Sequence, residues 1–203
     1  SRVRPDDVVV EIGPGAGALT GRLASRARRV IAIEKDSGLA DLMREENAEI
    51  PNIEVVEGDF LEADLAALAA AHGVEKLLVV GNIPYNITTP LIEKALTPPR
   101  PRVVLFLVQR ELADRVAARP GSGTYGALSI GVQVVARVER RFTVPAGAFK
   151  PRPKVDSALL RERAPILQEA AQVIADPQVR YQGTIGGNVA NGDPGNDMPG
   201  LML

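Results

Sequence analysis

The sequence predicts an α/β fold in which a mostly parallel sheet is covered by helices on both faces. Short apolar runs typical of buried strands alternate five times with helical segments of about ten residues. Polar or glycine-rich residues follow several of these runs, at the strand ends where open α/β sheets bind their ligands. Two late apolar runs flank a proline-rich loop and predict an antiparallel strand pair at one edge of the sheet.

The predicted strands are short runs rich in valine, isoleucine and leucine. They cover residues 8–12, 30–33, 53–56, 76–80, 103–108, 140–144 and 157–163. These lengths fit strands that are buried on both faces or on one. No internal repeat is present, so the strands are expected to form one sheet.

The predicted helices begin where a capping or turn signal follows a strand. They cover residues 18–28 after a glycine turn, 37–48 with Ser37 as a cap, 65–71, a segment that starts near Pro90, 111–118 and 126–135. The third of these is helical by its alanine and leucine content. Pro90 suits a first helical turn, where its missing N–H costs nothing.

Composition narrows the class of protein. The 203 residues, 45% hydrophobic and 24% charged, are typical of one soluble domain with a possible appendage. No run approaches the roughly 18 apolar residues of a membrane span, and the N-terminus lacks the apolar segment of a signal peptide. We therefore expect a cytoplasmic monomer that does not bind membranes.

Cysteine and histidine usage excludes several chemistries. The chain has no cysteine, which rules out disulfides, thiolate metal sites and thiol nucleophiles. A single histidine argues against a histidine-rich metal centre and against a Ser-His-Asp triad. No metal site is expected.

Charge is uneven along the chain. The net charge is -1, which gives no overall signal for nucleic acid. Residues 137–163, however, contain eight lysines and arginines against three acids. Such an excess is typical of a surface that contacts phosphates, although an ordinary solvated face explains the charge equally well.

A glycine turn follows the first strand. Gly13, Gly15 and Gly17 lie between that strand and a helix, in the pattern Glu-x-Gly-x-Gly-x-Gly that begins at Glu11. Glycines let the backbone approach a ligand, and a helix N-terminus adds the positive end of its dipole. The spacing differs from the dinucleotide fingerprint, which weakens an NAD interpretation. Tight packing is the alternative reason for such a turn.

Acidic residues follow the first three strands. Glu11, Glu34 and Asp59 stand at successive strand ends, which a doubly wound sheet places along one rim. An acid after the second strand can accept hydrogen bonds from ribose hydroxyls. Asp59 could accept from an adenine amino group, with Phe60 packed beside the ring. Each acid taken alone could equally be a helix cap or a solvated loop residue.

A proline-stiffened loop, residues 81–86, follows the fourth strand. Its sequence is Gly-Asn-Ile-Pro-Tyr-Asn. Asn82 offers an amide, Tyr85 offers an aromatic ring, and two backbone carbonyls are expected to be hard to pair within the loop. These groups suit a planar base that carries an amino group.

Together these motifs resemble the S-adenosylmethionine-dependent rRNA adenine N6-dimethyltransferases, and the small-subunit enzymes more than the resistance methylases of the large subunit. The segments that carry the resemblance, which spans about residues 3–163, are 10–17, Glu34, 57–60, 81–86, 109–111, 125–129 and 149–157. The resemblance implies a Rossmann-like class I methyltransferase: a mostly parallel seven-stranded sheet with an antiparallel edge pair. It implies S-adenosylmethionine as cofactor and a small ribosomal subunit precursor as partner.

The resemblance also implies roles for individual residues. The cofactor site comprises Glu11, Gly13, Gly15, Gly17, Glu34, Asp59, Phe60 and Asn82. The Asn82 oxygen and the Ile83 or Pro84 carbonyl would accept the two N6 hydrogens of an adenine turned out of its stack, and Tyr85 and Phe149 would sandwich the base. The residues expected to hold RNA phosphates are Arg140, Arg141, Lys150, Arg152 and Lys154.

The C-terminal part has a different character. Residues 1–163 are predicted to form the methyltransferase domain, and residues 164–203 a poorly ordered tail. Residues 179–199 are similar to a flavin-contacting loop of molybdenum hydroxylases, but so short a piece cannot bury a flavin alone. Two other functions stay open: an RNA-binding assembly factor without turnover, and another amino-group methyltransferase, because related Asn-Pro-Pro-Tyr loops serve DNA adenine and protein glutamine.

Overall fold

In the computed structural model, which describes residues 3–148 and 155–163, seven strands form one sheet. The strands are β1 (Val8–Ile12), β2 (Arg29–Glu34), β3 (Ile53–Glu57), β4 (Leu78–Asn82), β5 (Val103–Gln109), β6 (Arg137–Val144) and β7 (Ser157–Arg163). Their order is β3-β2-β1-β4-β5-β7-β6. The first five strands pair in parallel, and β7 is antiparallel to both β5 and β6. The predicted fold class and its antiparallel edge pair are confirmed.

Six α-helices of the described residues connect the strands. They are α1 (Thr20–Ala24), α2 (Ser37–Glu46), α3 (Leu65–Ala71), α4 (Thr88–Leu96), α5 (Arg110–Val116) and α6 (Ala127–Gln133). Side chains of α3 to α6 pack on one face of the sheet, and side chains of α1 pack on the other. Within the described ranges, no helix is both long and apolar enough to cross a bilayer.

The strand order reverses between β1 and β4. From β1 the chain moves outward through β2 to β3, and it then returns to place β4 on the other side of β1. Ile12 of β1 lies opposite Ile33 of β2 and opposite Gly81 of β4. Loops that leave the carboxyl ends of β1 and β4 therefore diverge from a shared crevice, which is where doubly wound sheets bind ligands.

The first helix is shorter than the sequence predicted. The pattern favoured residues 18–28, whereas α1 ends at Ala24. The amide of Asn52 donates to the carbonyl oxygens of Ala24 at 2.8 Å and Ala27 at 3.1 Å. A side chain from a distant loop therefore caps the last carbonyls and turns the chain into β2, a contact that local propensity does not reveal.

The fourth strand and one helix cap also differ from the sequence prediction. Strand β4 was expected at residues 76–80, but it extends over Gly81 and Asn82, which pair with Phe106 and Leu107 of β5. The stretch expected to be a loop therefore begins inside the sheet. Helix α2 is capped by Asp36 instead of Ser37, because the Asp36 carboxylate accepts from the Leu39 N–H at 2.9 Å.

One buried carboxyl interrupts the apolar packing around β7. Glu162 is 1% exposed, and its cross-strand neighbours are Val104 of β5 and Val138 of β6. Neither of its carboxyl oxygens has a hydrogen-bond partner among the described residues. Burial raises the pKa of Glu162 from 4.5 to about 8. At neutral pH the folded chain therefore keeps a proton on Glu162, whereas the unfolded chain has already released it.

Replacing Glu162 should stabilise the protein, and more so at high pH. Because the folded pKa is raised, stability is lost as pH rises from about 4.5 to about 8, by at most roughly 5 kcal/mol. Glu162→Leu should raise the free energy of unfolding more at pH 8 than at pH 5, measured by urea titration. Glu162→Gln should flatten the pH dependence, and the exposed control Glu46→Gln should leave it intact. A pH dependence unchanged in Glu162→Gln would contradict this assignment.

Candidate active site at the switch point of the sheet

The glycine turn after β1 has a backbone that only glycine adopts without strain. Gly13, Gly15 and Gly17 have φ angles of 56°, 57° and 73°. A Cβ atom at Gly13 or Gly15 would meet nothing within 4 Å, so tight packing does not explain these two glycines. The turn is anchored to β2 by the Gly13 N–H, which donates to the Ile33 carbonyl at 3.0 Å. The backbone of the turn therefore faces an open space at the carboxyl ends of the parallel strands.

Glu34 fixes the shape of this turn. One carboxylate oxygen accepts the Gly15 N–H at 3.1 Å, and the other accepts the Asp36 N–H at 3.0 Å. The residue is 7% exposed, so these bonds lie out of bulk water. Each oxygen keeps a second acceptor site. The carboxylate can thus hold the turn and still accept hydrogen bonds from two hydroxyl groups of a ligand.

Glu11 is a buried acid beneath the turn. It lies within β1 between Ala32 and Val80 of the neighbouring strands, and it is 3% exposed. Its Oε2 atom has no hydrogen-bond partner among the described residues. Burial raises the pKa of Glu11, while the nearby Thr20 hydroxyl acts in the opposite direction. An unsatisfied buried carboxyl oxygen is costly unless a ligand or water completes its bonding.

Asp59, two residues beyond β3, is engaged by a lysine that the sequence did not single out. Lys35 Nζ lies 2.8 Å from Asp59 Oδ2, and the Leu61 N–H donates to Oδ1 at 2.9 Å. The hydrogen bond from Lys35, followed by the one from Leu61, lowers the pKa of Asp59. The only sequence signal for this pair was the position of Lys35, directly after Glu34 at the same rim.

Phe60 points away from the rim into the protein. Its side chain is 3% exposed and belongs to the main hydrophobic core, near Leu65 and Ile33 in the same cluster. The side chain therefore anchors the turn after β3. A role for this ring beside an adenine stays a prediction.

Asn82 ends β4 and is exposed at the crevice. The Ile83 N–H that follows donates to the Leu107 carbonyl at 3.0 Å, and the Ile83 side chain is 1% exposed. The sheet and the core together fix the backbone on both sides of the Asn82 side chain. The amide is therefore held on a rigid element and not on a free loop.

The two carbonyls of the loop are not equivalent. The expectation that both resist internal pairing was wrong for Pro84, whose carbonyl accepts the Ile87 N–H at 3.3 Å and the Thr88 hydroxyl at 3.0 Å. These bonds form because residues 85–87 make a 3-10 turn that leads into α4. A carbonyl oxygen with two bonds has little acceptor capacity left, so Ile83 is the better candidate acceptor.

Several predicted residues lie outside the described part of the structure. They are Phe149, Lys150, Arg152 and Lys154, the side chain of Tyr85, and the tail from residue 164 with its flavin-like fragment. Their predicted roles stay predictions. Arg140 and Arg141, by contrast, are described on β6, where Arg140 pairs with Asp114 and Arg141 with Glu139, each at 2.8 Å.

The site as described brings two chemistries together. A glycine turn lined by carboxylates follows β1, and an amide with a neighbouring carbonyl follows β4, one strand away. Among the described residues, no cluster of histidine, cysteine and acidic side chains could hold a metal ion. The arrangement can accept hydrogen bonds from ligand hydroxyls on one side and from an amino group on the other.

Comparison with known proteins points to the same chemistry. The model of the ribosomal RNA adenine dimethylase family matches residues 1–171. Ribosomal RNA small subunit methyltransferase A of Acidobacterium capsulatum is 52% identical over 159 residues, which are 75% of this chain and 54% of that protein. Its namesake in Geobacillus kaustophilus is 38% identical over 204 residues, covering 95% of this chain and 70% of that protein.

Solved structures agree on the fold. The 23S rRNA methyltransferase ErmE superposes with a TM-score of 0.75 at 33% identity, covering 100% of this chain and 77% of that one. A dimethyladenosine transferase from Plasmodium falciparum gives a TM-score of 0.72 at 30% identity, covering 85% and 60%. The chain spans little more than half the length of several curated relatives. With its sheet, glycine turn and Asn-Ile-Pro-Tyr loop, the chain belongs to the ribosomal RNA adenine dimethylase family.

Proposed function

We propose that this chain transfers methyl groups from S-adenosylmethionine to N6 of adenines in small-subunit rRNA. The observation that carries the proposal is the adjacency of the glycine turn after β1 and the Asn82 end of β4, whose strands are paired at Ile12 and Gly81. Two ligands bound by these two elements would meet in the crevice between them. Catalysis would then rest on positioning and on polarisation of the acceptor.

The residues of the turn fit the methyl donor. S-adenosylmethionine supplies a methyl group on a positively charged sulfonium. The open space above Gly13 and Gly15 leaves room for a ligand, and the Glu34 oxygens have acceptor sites for two ribose hydroxyls. Asp59 would accept from the adenine amino group, and the unsatisfied Glu11 Oε2 atom leaves a hydrogen-bonding group beneath the turn that a ligand could use.

The β4 end fits the methyl acceptor. An adenine N6 lone pair is delocalised into the ring and is a poor nucleophile. The Asn82 side-chain oxygen and the Ile83 carbonyl would accept the two N6 hydrogens and favour a pyramidal nitrogen with an exposed lone pair. When bound, the cofactor would supply the methyl group to N6 with cleavage of its carbon–sulfur bond, and the N6 proton would then leave to water. Asn82 and Ile83 hold the amino group in position, and neither needs to remove the proton.

The RNA must deliver an unstacked base to this crevice. Turning an adenine out of its stack costs a few kcal/mol. Stacking between Tyr85 and Phe149 would offset that cost, at about 1–3 kcal/mol per base. Arg140 and Arg141, with Lys150, Arg152 and Lys154, would hold the backbone phosphates. This part of the proposal rests on the family resemblance and on the exposed arginines of β6.

The names of the curated relatives support the small subunit as the substrate. Eight of them, between 38% and 52% identical, are named for the small ribosomal subunit. ErmE, which is named for 23S rRNA, is 33% identical. We propose that the protein acts as a cytoplasmic monomer on a precursor of the small subunit.

Asn82→Ala should abolish methyl transfer and leave S-adenosylmethionine binding within about twofold of wild type. The substitution removes the amide acceptor at an exposed position of β4, so folding should persist. Transfer is measured with labelled cofactor on small-subunit RNA, and binding is measured by calorimetry. Glu46→Ala, which removes an exposed polar side chain at the end of α2, is the control with unchanged transfer. Turnover of Asn82→Ala within twofold of wild type would refute the role.

Lys35→Met should tighten S-adenosylmethionine binding by about two- to fivefold. The exposed Lys35 ammonium occupies an Asp59 oxygen that the adenine amino group needs, and it repels a cationic ligand. The substitution should also raise the Asp59 pKa, because Lys35 is the main cause of its low value. The loss of cofactor affinity on acidification should therefore begin at higher pH in the variant.

The control for this prediction is Lys76→Met, an exposed lysine before β4 that should change neither affinity nor pH profile. If Lys35→Met instead binds S-adenosylmethionine more weakly, and its affinity falls over the same acidic pH range as in wild type, then Lys35 supports the ligand and does not compete with it.

A further inference from the structure

The edge strand β6 carries an aromatic side chain that the packing does not use. Phe142 is 56% exposed, the highest value among the large apolar side chains that are exposed in the described residues. Burying a phenylalanine is worth about 1.5–3 kcal/mol, so leaving one in water forgoes that gain. Phe142 belongs to neither the proposed cofactor site nor the proposed acceptor site.

Phe142 lies in a β-bulge of this exposed strand. On β7 the pairing steps by two residues, from Leu160 to Ala158, whereas on β6 it steps by three, from Arg140 to Thr143. The single residue Leu159 therefore faces two residues, Arg141 and Phe142. In a regular strand neighbouring side chains alternate between the two faces of the sheet, but at this bulge both side chains are exposed.

The bulge lies level with the acceptor site along the strands. Asn82 pairs with Leu107 of β5, and Leu107 pairs with Leu159 of β7, the residue that the bulge faces. Three strand spacings separate Asn82 from β6, a distance of roughly 14 Å across the sheet. A single strand of RNA that places one base at Asn82 can reach Phe142 within a few nucleotides.

The charges around Phe142 favour nucleic acid. Arg140 is held by Asp114 at 2.8 Å and by the Thr143 hydroxyl at 2.7 Å, while Arg141 is held by Glu139 at 2.8 Å. Exposed ion pairs of this kind contribute little to stability, so their guanidinium groups can still meet a phosphate. An exposed aromatic ring beside oriented arginines is the combination that binds single strands by stacking and charge.

We propose that Phe142 stacks on a base of the rRNA next to the target adenine, with Arg140 and Arg141 on the flanking phosphates. This inference rests on the proposed function for the identity of the RNA. Phe142 would then be a positioning residue that raises RNA affinity and sets the path of the strand toward Asn82. It would not contact the reacting atoms, so its effect should fall on KM and not on kcat.

The test compares Phe142→Ala, Phe142→Trp and wild type, each as the full chain of 203 residues. The probe is an adenosine-containing single-stranded RNA from the small-subunit sequence, with 2-aminopurine placed at successive positions around the target. Phe142→Ala should weaken binding by about tenfold and raise KM, with kcat and S-adenosylmethionine affinity unchanged. In wild type, 2-aminopurine fluorescence should be quenched at one or two positions, and this quenching should be lost in Phe142→Ala. Phe142→Trp should restore both the RNA affinity and the quenching.

The salt dependence separates stacking from charge. Phe142→Ala should leave the slope of log affinity against log salt unchanged, whereas Arg141→Ala should reduce it by about one unit or less. Leu42→Ala, which alters an exposed apolar side chain on α2, is the matched control and should leave RNA affinity unchanged.

Three results would overturn the inference. RNA affinity of Phe142→Ala within twofold of wild type, while wild type still methylates RNA, would refute stacking and leave the proposed function intact. A wild-type dimer in sedimentation that Phe142→Ala dissociates would make the bulge an interface between two copies. Failure of wild type to bind RNA at all would overturn both this inference and the proposed function.

Discussion

The pairing of β1 with β4 is the interaction on which the candidate site depends. A Cβ atom on Gly81 would lie 2.7 Å from Ile83 Cδ1, so the end of that side chain would have to move. It would also lie 3.2 Å from the Cβ of Ile12 and 3.3 Å from the Ile12 carbonyl oxygen, which is tighter than most packed contacts. Glycine at this position therefore lets the two strands pair without displacing Ile12 or Ile83. Their loops, one for each proposed ligand, then open from a common point.

Glu34 extends this preorganisation from the strands to the turn. By accepting one backbone N–H on each carboxylate oxygen, it holds the left-handed glycine conformations before any ligand arrives. Each of the two oxygens keeps a second acceptor site, which the proposed ligand could use. Ordering the turn is therefore part of folding and does not reduce ligand affinity. Asp59 differs, because Lys35 already occupies one of its oxygens, so the proposed ligand would have to displace or share that contact.

The sequence predicted the mostly parallel sheet with its antiparallel edge pair, because hydrophobic periodicity and turn residues are local signals. It mispredicted features that depend on distant partners. Asn52 ends α1 early, and pairing with β5 draws Asn82 into the sheet. The Pro84 carbonyl was expected to be available, but the 3-10 turn occupies it. The bulge at Phe142 could not be predicted from the sequence either, because a pairing register depends on two strands and not on one.

The central claim is that the crevice brings a methyl donor to the amino group of an adenine. It is tested most directly by incubating the chain with labelled S-adenosylmethionine and immature small ribosomal subunits, followed by complete digestion of the RNA and separation of its nucleosides. Label is expected on N6-methylated or N6,N6-dimethylated adenosine and on no other nucleoside. Label on a different nucleoside, on protein, or on nothing would contradict it.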